Sequence, residues 1–241
     1  MSQPYLFSST SIATILLCLL GNSPSPASAG QQGEWLAYAS DKASSKYAPL
    51  DQINAGNVSD LEIVWRQSTI PDVTRQGNSL RPPAASQNTP LMADGLLYIS
   101  TALGTVAALD AITGEVVWFD VPPSNSAEPQ QRGFATRGVG YWTDGDDARV
   151  LAVIRSRLIS LDARTGMRDP NFGDGGSVNL IEGYDDRTVE SFQWRSAPLV
   201  VNDVIIIGSI IGDIVSSTMP ALKEMPPGDV RGFDVRTGEQ L

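Results

Sequence analysis

The chain has 241 residues, 41% of them hydrophobic, and a formal net charge of −10, so it is long enough to bury a core and too acidic for a nucleic-acid or anionic membrane partner. Histidine is absent, which excludes a Ser-His-Asp or Cys-His nucleophilic centre, histidine-ligated zinc and CxxCH haem attachment within this sequence. The single cysteine, Cys18, lies in an apolar N-terminal stretch and leaves the rest without disulfide or thiolate chemistry. Redox chemistry here therefore requires a cofactor.

The N-terminus predicts export. Residues 11–21 form a short apolar run, SIATILLCLLG, followed by NSPSP and then by Ala27-Ser28-Ala29, which fits the small-residue cleavage rule. The run has about half of the roughly 20 residues that span a bilayer, which favours a cleaved signal over a membrane anchor. We therefore expect a signal peptide over residues 1–29, a mature protein that begins at Gly30, and a periplasmic location with no firm membrane span.

A repeat organises the chain after the predicted signal peptide. The element Asp-x-x-Thr-Gly occurs three times, beginning at Asp110, Asp162 and Asp234. The copies are 52 and 72 residues apart, and the longer interval contains a polar, proline-rich insertion at residues 212–228, so the underlying period is about 50. Asp and Thr suit hydrogen bonds to a turn backbone, and Gly accepts a positive φ.

Two hairpin patterns precede copies of this element. Residues 88–101 (NTPLMADGLLYIST) and 196–209 (SAPLVVNDVIIIGS) each read as strand, tight turn, strand, with turns at Asp94-Gly95 and Asn202-Asp203. Four strands in about 50 residues without helical periodicity predict one blade of a β-propeller. Independent sandwich domains, the alternative, need about 100 residues each. The fold class that we expect is all-β.

Two longer motifs carry a family resemblance. The pattern Y-x-x-D-x-x-S-x-x-Y-x-P-L-x-Q-I-N runs from Tyr38 to Asn54, and Ala-x-Asp-x-x-Thr-Gly-x-x-x-Trp runs from Ala108 to Trp118. Through them the chain resembles the pyrroloquinoline quinone (PQQ)-dependent alcohol and glucose dehydrogenases. It is more similar to the sugar branch, since the adjacent Cys-Cys pair of methanol dehydrogenases is absent. The resemblance implies a partial eight-bladed β-propeller, with residues 30–241 as an N-terminal fragment of about three blades.

The same resemblance implies a chemistry. Its cofactor is PQQ, which carries three carboxylates, and a calcium ion polarises the quinone. The substrate is a small-molecule alcohol or sugar, and the electron acceptor is a quinone or a cytochrome c. By resemblance the aspartate that takes the hydroxyl proton lies beyond Leu241, so no catalytic residue is assigned. The alternative is a non-catalytic propeller that uses the same repeats as a protein-interaction scaffold.

Three site residues follow from the resemblance. Arg137, in RGVGYW, matches an arginine that contacts the cofactor; its alternative is a surface or inter-blade salt bridge. Gln87 stands where other branches place a cofactor-contacting Glu, and otherwise satisfies a blade-edge backbone group. Asp213, five residues after Gly208, matches a calcium-ligating Glu; its alternative is a solvated loop carboxylate.

The tryptophans are assigned structural roles. Trp65 and Trp118 are 53 residues apart and recur with the repeat, so we expect them to dock one blade on the next rather than to stack on a ligand. The second repeat departs from the motif, with Pro170 where a tryptophan is expected. We expect Trp142 to pack against its neighbours or to line the mouth of the pocket.

Overall fold

The computed structural model describes residues 33–69, 86–101, 103–121, 137–184, 192, 194–210 and 228–241. The predicted signal peptide and Asp213 lie outside these residues. Within them the regular structure consists of strands and one 3₁₀ turn, Val58–Asp60, which confirms the all-β prediction. No helix in these ranges is long and apolar enough to cross a membrane.

The strands form three antiparallel sheets in which each strand pairs with the next along the chain. The first sheet contains β1 (Leu91–Ala93), β2 (Leu96–Ser100), β3 (Val106–Asp110) and β4 (Val116–Asp120). The second contains β5 (Gly140–Asp144), β6 (Asp147–Ile154), β7 (Arg157–Asp162) and β8 (Ser177–Asn179). The third contains β9 (Leu199–Val201), β10 (Val204–Ile207) and β11 (Arg231–Asp234). These successive meanders are blades of a β-propeller, as predicted.

Strand β6 shows how the sequence builds a core on each side of the second sheet. Side chains alternate between the two faces of a strand. Ala148, Val150, Ala152 and Ile154 therefore enter the core shared with the first sheet, which also contains Tyr98 and Trp118. Leu151 and Val153 enter the core shared with the third sheet, which also contains Ile205 and Phe233. The middle blade is buried on both faces.

The Asp-x-x-Thr-Gly element forms the same turn in all three sheets. In the first copy the Asp110 Oδ1 accepts hydrogen bonds from the backbone N–H groups of Thr113 (2.7 Å) and Ile112 (2.9 Å), and Gly114 has a φ of +73°. The equivalent N–H groups donate to Asp162 and Asp234. These bonds, led by that of the threonine N–H, lower the pKa of Asp110. The predicted role of the motif is confirmed.

The tryptophans dock each sheet on the next. Trp118, on the outer strand β4, is buried and its Nε1 donates to the Ala163 carbonyl at 2.9 Å, while its ring lies on Gly166. Trp65 repeats the arrangement one sheet earlier, with its Nε1 3.3 Å from the Ala111 carbonyl and its ring on Gly114. A glycine is required at each position because a Cβ on Gly166 would lie 2.6 Å from the Trp118 ring.

The joint between the second and third sheets uses different residues. Where the motif has lost its tryptophan, the fully buried Phe172 lies beside Gly238, the glycine of the third Asp-x-x-Thr-Gly element. The backbone N–H of Gly173 donates to the Thr237 carbonyl at 2.8 Å. A smaller ring and a main-chain hydrogen bond thus replace the indole and its N–H.

Candidate functional site

The residues at the start of each sheet, just before or at the beginning of its first strand, lie side by side. We call residues 87–90, 137–140 and 194–198 the lead-in segments. The Thr89 N–H donates to the Arg137 carbonyl at 3.1 Å, and the Arg137 N–H donates to the Arg195 carbonyl at 2.8 Å. Two main-chain hydrogen bonds therefore tie three successive blades together at one place. A group that binds there contacts all three sheets.

Two glycines allow this close approach. A Cβ on Gly138, whose φ is +135°, would lie 2.9 Å from the Thr89 carbonyl oxygen. A Cβ on Gly140 would lie 2.9 Å from the Pro198 carbonyl oxygen. Any larger residue at these positions would push the lead-in segments apart, which explains the spacing of the glycines in the RGVG sequence.

Arg137 and Gln87, the two predicted cofactor contacts within the described ranges, both belong to the lead-in segments and both are exposed. The backbone of Arg137 is held on both sides, but its guanidinium has no hydrogen bond or ion pair with any residue that the structure describes. The salt bridge considered as the alternative is therefore not formed among these residues. The Gln87 side chain likewise makes no hydrogen bond to a described residue.

Two buried polar atoms at the lead-in segments have no hydrogen-bond partner among the described residues: Asn88 Oδ1 and Trp194 Nε1. The Asn88 amide nitrogen is used, since it donates to the backbone carbonyl of Ser100 and to its hydroxyl at 3.0 Å. The Trp194 ring packs on Gly208, where a Cβ would lie 2.7 Å from Cζ3. Buried polar atoms normally find a partner, so each of these two atoms has an unused hydrogen-bonding capacity among the described residues.

A buried arginine holds the residues that follow β8 against the third sheet. Arg231, on β11, is 7% exposed and donates from its two terminal nitrogens to the carbonyls of Leu180 and Glu182, both at 2.7 Å. Its guanidinium carbon lies 4.0 Å from the centre of the Tyr184 ring. Burial lowers the pKa of Arg231. The two hydrogen bonds thereby fix residues 180–182, which directly follow β8, to the third sheet.

Trp142 packs in the core, as one of its two predicted roles required. It is buried, its Nε1 donates to the Asp203 carboxylate at 3.2 Å, and Arg236 lies 4.6 Å above its ring. Arg236 also forms ion pairs with Asp144 and Asp203. This cluster links the second sheet, through Asp144 and Trp142, to the β9–β10 turn and the third Asp-x-x-Thr-Gly element of the third sheet.

A cleft of about 340 Å³ lies away from the lead-in segments, between residues 173–182 and 237–239. Three of its lining residues are acidic, Asp174, Glu182 and Glu239, against one cation, Arg157. Such a surface repels carboxylates. The lead-in segments, and not this cleft, have the charge that an anionic ligand requires.

Residues 35–241 match the PQQ family described as "Glucose/ethanol/alcohol dehydrogenase, beta-propeller domain". The chain belongs to this family. It is 32% identical over 235 residues to the quinate/shikimate dehydrogenase (quinone) of Acinetobacter baylyi, covering 88% of this chain and 27% of the relative. It is 29% identical over 233 residues to the glycerol dehydrogenase large subunit of Gluconobacter thailandicus, covering 89% of this chain and 30% of the relative.

A solved PQQ-family structure has the same fold. The quinohemoprotein alcohol dehydrogenase of Comamonas testosteroni superposes with a TM-score of 0.60 at 25% identity, covering 89% of this chain and 27% of that one. The chain thus spans between a quarter and a third of the length of these relatives. Its described sheets correspond to propeller blades of PQQ-dependent dehydrogenases.

The lead-in segments suit the cofactor of this family. PQQ is a flat tricarboxylate, so its site needs cations, hydrogen-bond donors and flat apolar surfaces. Arg137 offers a guanidinium, and Trp194 an indole N–H, that have no hydrogen-bond partner among the residues that the structure describes. The residues present therefore fit PQQ. For calcium, the described residues contain no group of three or more acidic, cysteine or histidine ligands, and Asp213 lies outside them.

Arg195 and Arg231 were not singled out by sequence reasoning. Arg195 precedes the hairpin pattern SAPLVVNDVIIIGS by one residue, as Gln87 precedes NTPLMADGLLYIST, so alignment of the two hairpins was a usable signal for Arg195. Arg231 had no comparable signal, because its partners are backbone carbonyls 49 and 51 residues away.

Proposed function

We propose that this chain forms part of the cofactor pocket of a periplasmic PQQ- and calcium-dependent dehydrogenase that oxidises a hydroxyl group of an alcohol or an aldose sugar. The observation that carries the proposal is the hydrogen-bonded ladder from Thr89 through Arg137 to Arg195, which presents an arginine at the place where three blades meet. Membership of the PQQ family and the names of the relatives support it.

The chain's own residues bind and orient the cofactor. The Arg137 guanidinium donates hydrogen bonds to a carboxylate or to a quinone oxygen of the cofactor. Its planar pair of N–H groups suits such an acceptor, whereas an ammonium group does not. Gln87 donates an amide N–H to the same ligand, and Asp213 holds calcium through its carboxylate. When bound, PQQ supplies the two-electron acceptor and calcium supplies a Lewis acid.

The rigidity of the lead-in segments is what makes Arg137 useful. Its main chain is fixed by one hydrogen bond to each neighbouring blade, and Gly138 permits that contact. A pre-positioned guanidinium loses less conformational freedom on binding than one on a mobile loop. The residue that takes the proton from the substrate hydroxyl is not assigned in this chain.

The test uses the full reading frame that contains this chain, with Arg137→Gln and the control Arg164→Gln. Arg164 is exposed on the turn after β7, away from the lead-in segments. Dye reduction by simple alcohols and glucose is followed with and without PQQ and calcium. The proposal predicts activity that needs both additions and falls at least tenfold in Arg137→Gln alone. A folded β-protein that neither binds PQQ nor reduces dye would contradict it and favour an interaction scaffold.

A further inference from the structure

Residues 61–66 repeat the outer strand of the first sheet. Their sequence, LEIVWR, aligns with GEVVWF at residues 114–119, so Trp65 corresponds to Trp118. Each indole donates from Nε1 to the backbone carbonyl that follows the aspartate of the next Asp-x-x-Thr-Gly element, at 3.3 Å for Trp65 and 2.9 Å for Trp118. Trp118 lies on β4, the outer strand of its four-stranded sheet. The docking contact therefore gives residues 61–66 the position of a fourth strand in an earlier sheet.

The inner strands of that earlier sheet are not among the residues that the structure describes. Residues 33–60 contain a 3₁₀ turn and no strand, and residues 61–66 pair with no strand of the three described sheets. Three apolar side chains of this segment are exposed: Leu61 by 58%, Ile63 by 69% and Val64 by 84%. Unpaired backbone groups beside apolar side chains form a template for pairing with another strand.

The first sheet has a partly uncovered face on the same side. Trp65 packs on the first sheet as Trp118 packs on the second, so the sheet that contains residues 61–66 adjoins the first sheet on the face opposite the second. The side chains of Ala107 and Phe119 lie on this face, since the two residues are paired across β3 and β4 and Phe119 alternates with Trp118. Phe119 is 45% exposed, whereas strand β6 in the second sheet is buried on both faces. Apolar surface of the first sheet therefore adjoins the place of the absent strands.

We propose that residues 61–66 form the outer strand of a closing sheet whose three inner strands belong to the same polypeptide beyond Leu241. A propeller removes its free strand edges by closing its ring, and a sheet shared between distant parts of the chain achieves this. The length of the relatives supports this occupant, because the match covers 27% of the quinate/shikimate dehydrogenase and leaves most of that protein for further sheets. The proposal goes beyond the proposed function and does not depend on the cofactor.

The first sheet specifies the kind of strand that fits beside residues 61–66. Trp118 on β4 lies opposite Ala108 on β3 in antiparallel register, and Ala108 is fully buried. Applied to residues 61–66, the same register places a small residue opposite Trp65, where a large side chain would displace the ring. The partner is therefore an antiparallel β-strand that presents a small side chain to the indole.

The test places p-benzoylphenylalanine, a photoreactive amino acid, at Ile63 in the full reading frame, with Met167 as the control position. The two side chains are matched, at 69% and 70% exposed. Met167 follows the glycine of the second Asp-x-x-Thr-Gly element, away from the closing sheet. After irradiation, denaturing gels separate cross-links within one molecule from cross-links between molecules, and mass spectrometry locates the cross-linked peptides.

The proposal predicts that Ile63 cross-links within one molecule to a peptide beyond Leu241 and that Met167 does not. Cross-links only to residues 33–241, the same distant peptide reached from both positions, or an absence of cross-links would overturn it. A cross-linked dimer would also overturn it, because the strand would then pair with a second copy of the chain.

Amide hydrogen exchange of the unsubstituted protein gives a second readout, which does not depend on how the substituted proteins fold. In the closed ring, the amides of residues 61–66 and of β4 both exchange at least about 100-fold more slowly than unpaired backbone. Exchange of residues 61–66 at the rate of unpaired backbone, with β4 protected, would overturn the proposal. Neither experiment uses PQQ, so their failure leaves the proposed function standing, and a failure of PQQ binding leaves the closing sheet standing.

Discussion

Replacement of Gly166 by alanine tests the docking of one blade on the next. The new Cβ would lie 2.6 Å from Cδ2 and Cε3 of Trp118, and both atoms belong to a rigid ring in a buried position. The methyl group therefore displaces the indole and strains its 2.9 Å hydrogen bond to the Ala163 carbonyl. Gly166 also has a φ of +70°, which an alanine adopts at a cost.

Gly95 offers a matched control. Its φ is +78° and no atom lies within 4 Å of the position of a Cβ, so Gly95→Ala carries the backbone strain alone, about 1 kcal/mol. Full loss of a buried aromatic side chain costs about 3–5 kcal/mol. We expect Gly166→Ala to lower the free energy of unfolding by about 3–5 kcal/mol, against about 1 kcal/mol for Gly95→Ala.

A double-mutant cycle isolates the contact. Once Trp118→Ala has removed the ring, Gly166→Ala should cost only the backbone strain, about 1 kcal/mol, so the two substitutions are strongly non-additive. Urea unfolding of the full reading frame, followed by circular dichroism, measures all four proteins and Gly95→Ala. Equal losses for Gly166→Ala and Gly95→Ala, or additive losses in the cycle, would refute the docking argument.

Three further predictions concern ionisable groups. Arg231→Met should destabilise the protein by about 3 kcal/mol in urea unfolding, because the buried Leu180 carbonyl and the half-buried Glu182 carbonyl lose a charged donor. Arg231→Lys should not restore stability, and a full rescue by lysine would show that the two-pronged guanidinium contact is unimportant. In the folded protein the pKa of Asp234 lies below the usual 3.8, chiefly because its carboxylate accepts a hydrogen bond from the Thr237 N–H. The stability that this carboxylate contributes is therefore present above pH 4 and is lost as the pH falls through the folded pKa. The difference in stability between Asp234→Asn and the wild type should therefore shrink as the pH falls in acid-unfolding curves. A difference that stays constant with pH would contradict this. Burial raises the pKa of Tyr141 to about 12, so the stability that its neutral phenol contributes is complete below pH 10 and is lost as the pH rises through 12. In a titration followed by ultraviolet absorbance, Tyr141→Phe should remove a phenol that titrates near pH 12. Loss of a phenol that titrates near pH 10 would refute the assignment.

Local patterns predicted most of the fold. The Asp94-Gly95 turn needs two positive φ values, and the structure has +49° and +78° there with Ala93 paired to Leu96. The hydrogen bonds of the Asp-x-x-Thr-Gly turn join residues that are at most four positions apart, so the turn depends little on distant contacts. The roles of Trp65 and Trp118 followed from their recurrence with the repeat and are confirmed by the structure.

Long-range contacts were harder to predict. The sequence showed that the second repeat lacks a tryptophan at Pro170, but not that Phe172 and the Gly173 N–H occupy the joint instead, because the partners lie near Thr237, more than 60 residues away. Nothing in the local sequence around Arg231 indicated that it is buried, because its carbonyl partners lie 49 and 51 residues away. For the candidate site, Arg137 and Gln87 were predicted and lie at the lead-in segments, whereas their contact with PQQ, and that of Asp213 with calcium, remain predictions.

Equilibrium titration with PQQ tests the central claim most directly. The full reading frame, freed of cofactor, is titrated with PQQ in the presence of calcium, alongside Arg137→Gln and Arg164→Gln. Saturable binding of one PQQ per chain by the wild type and by Arg164→Gln, weakened about 10- to 100-fold in Arg137→Gln, is the result that we expect. Absence of saturable binding, or equal affinity in Arg137→Gln and Arg164→Gln, would contradict the placement of the cofactor at the lead-in segments.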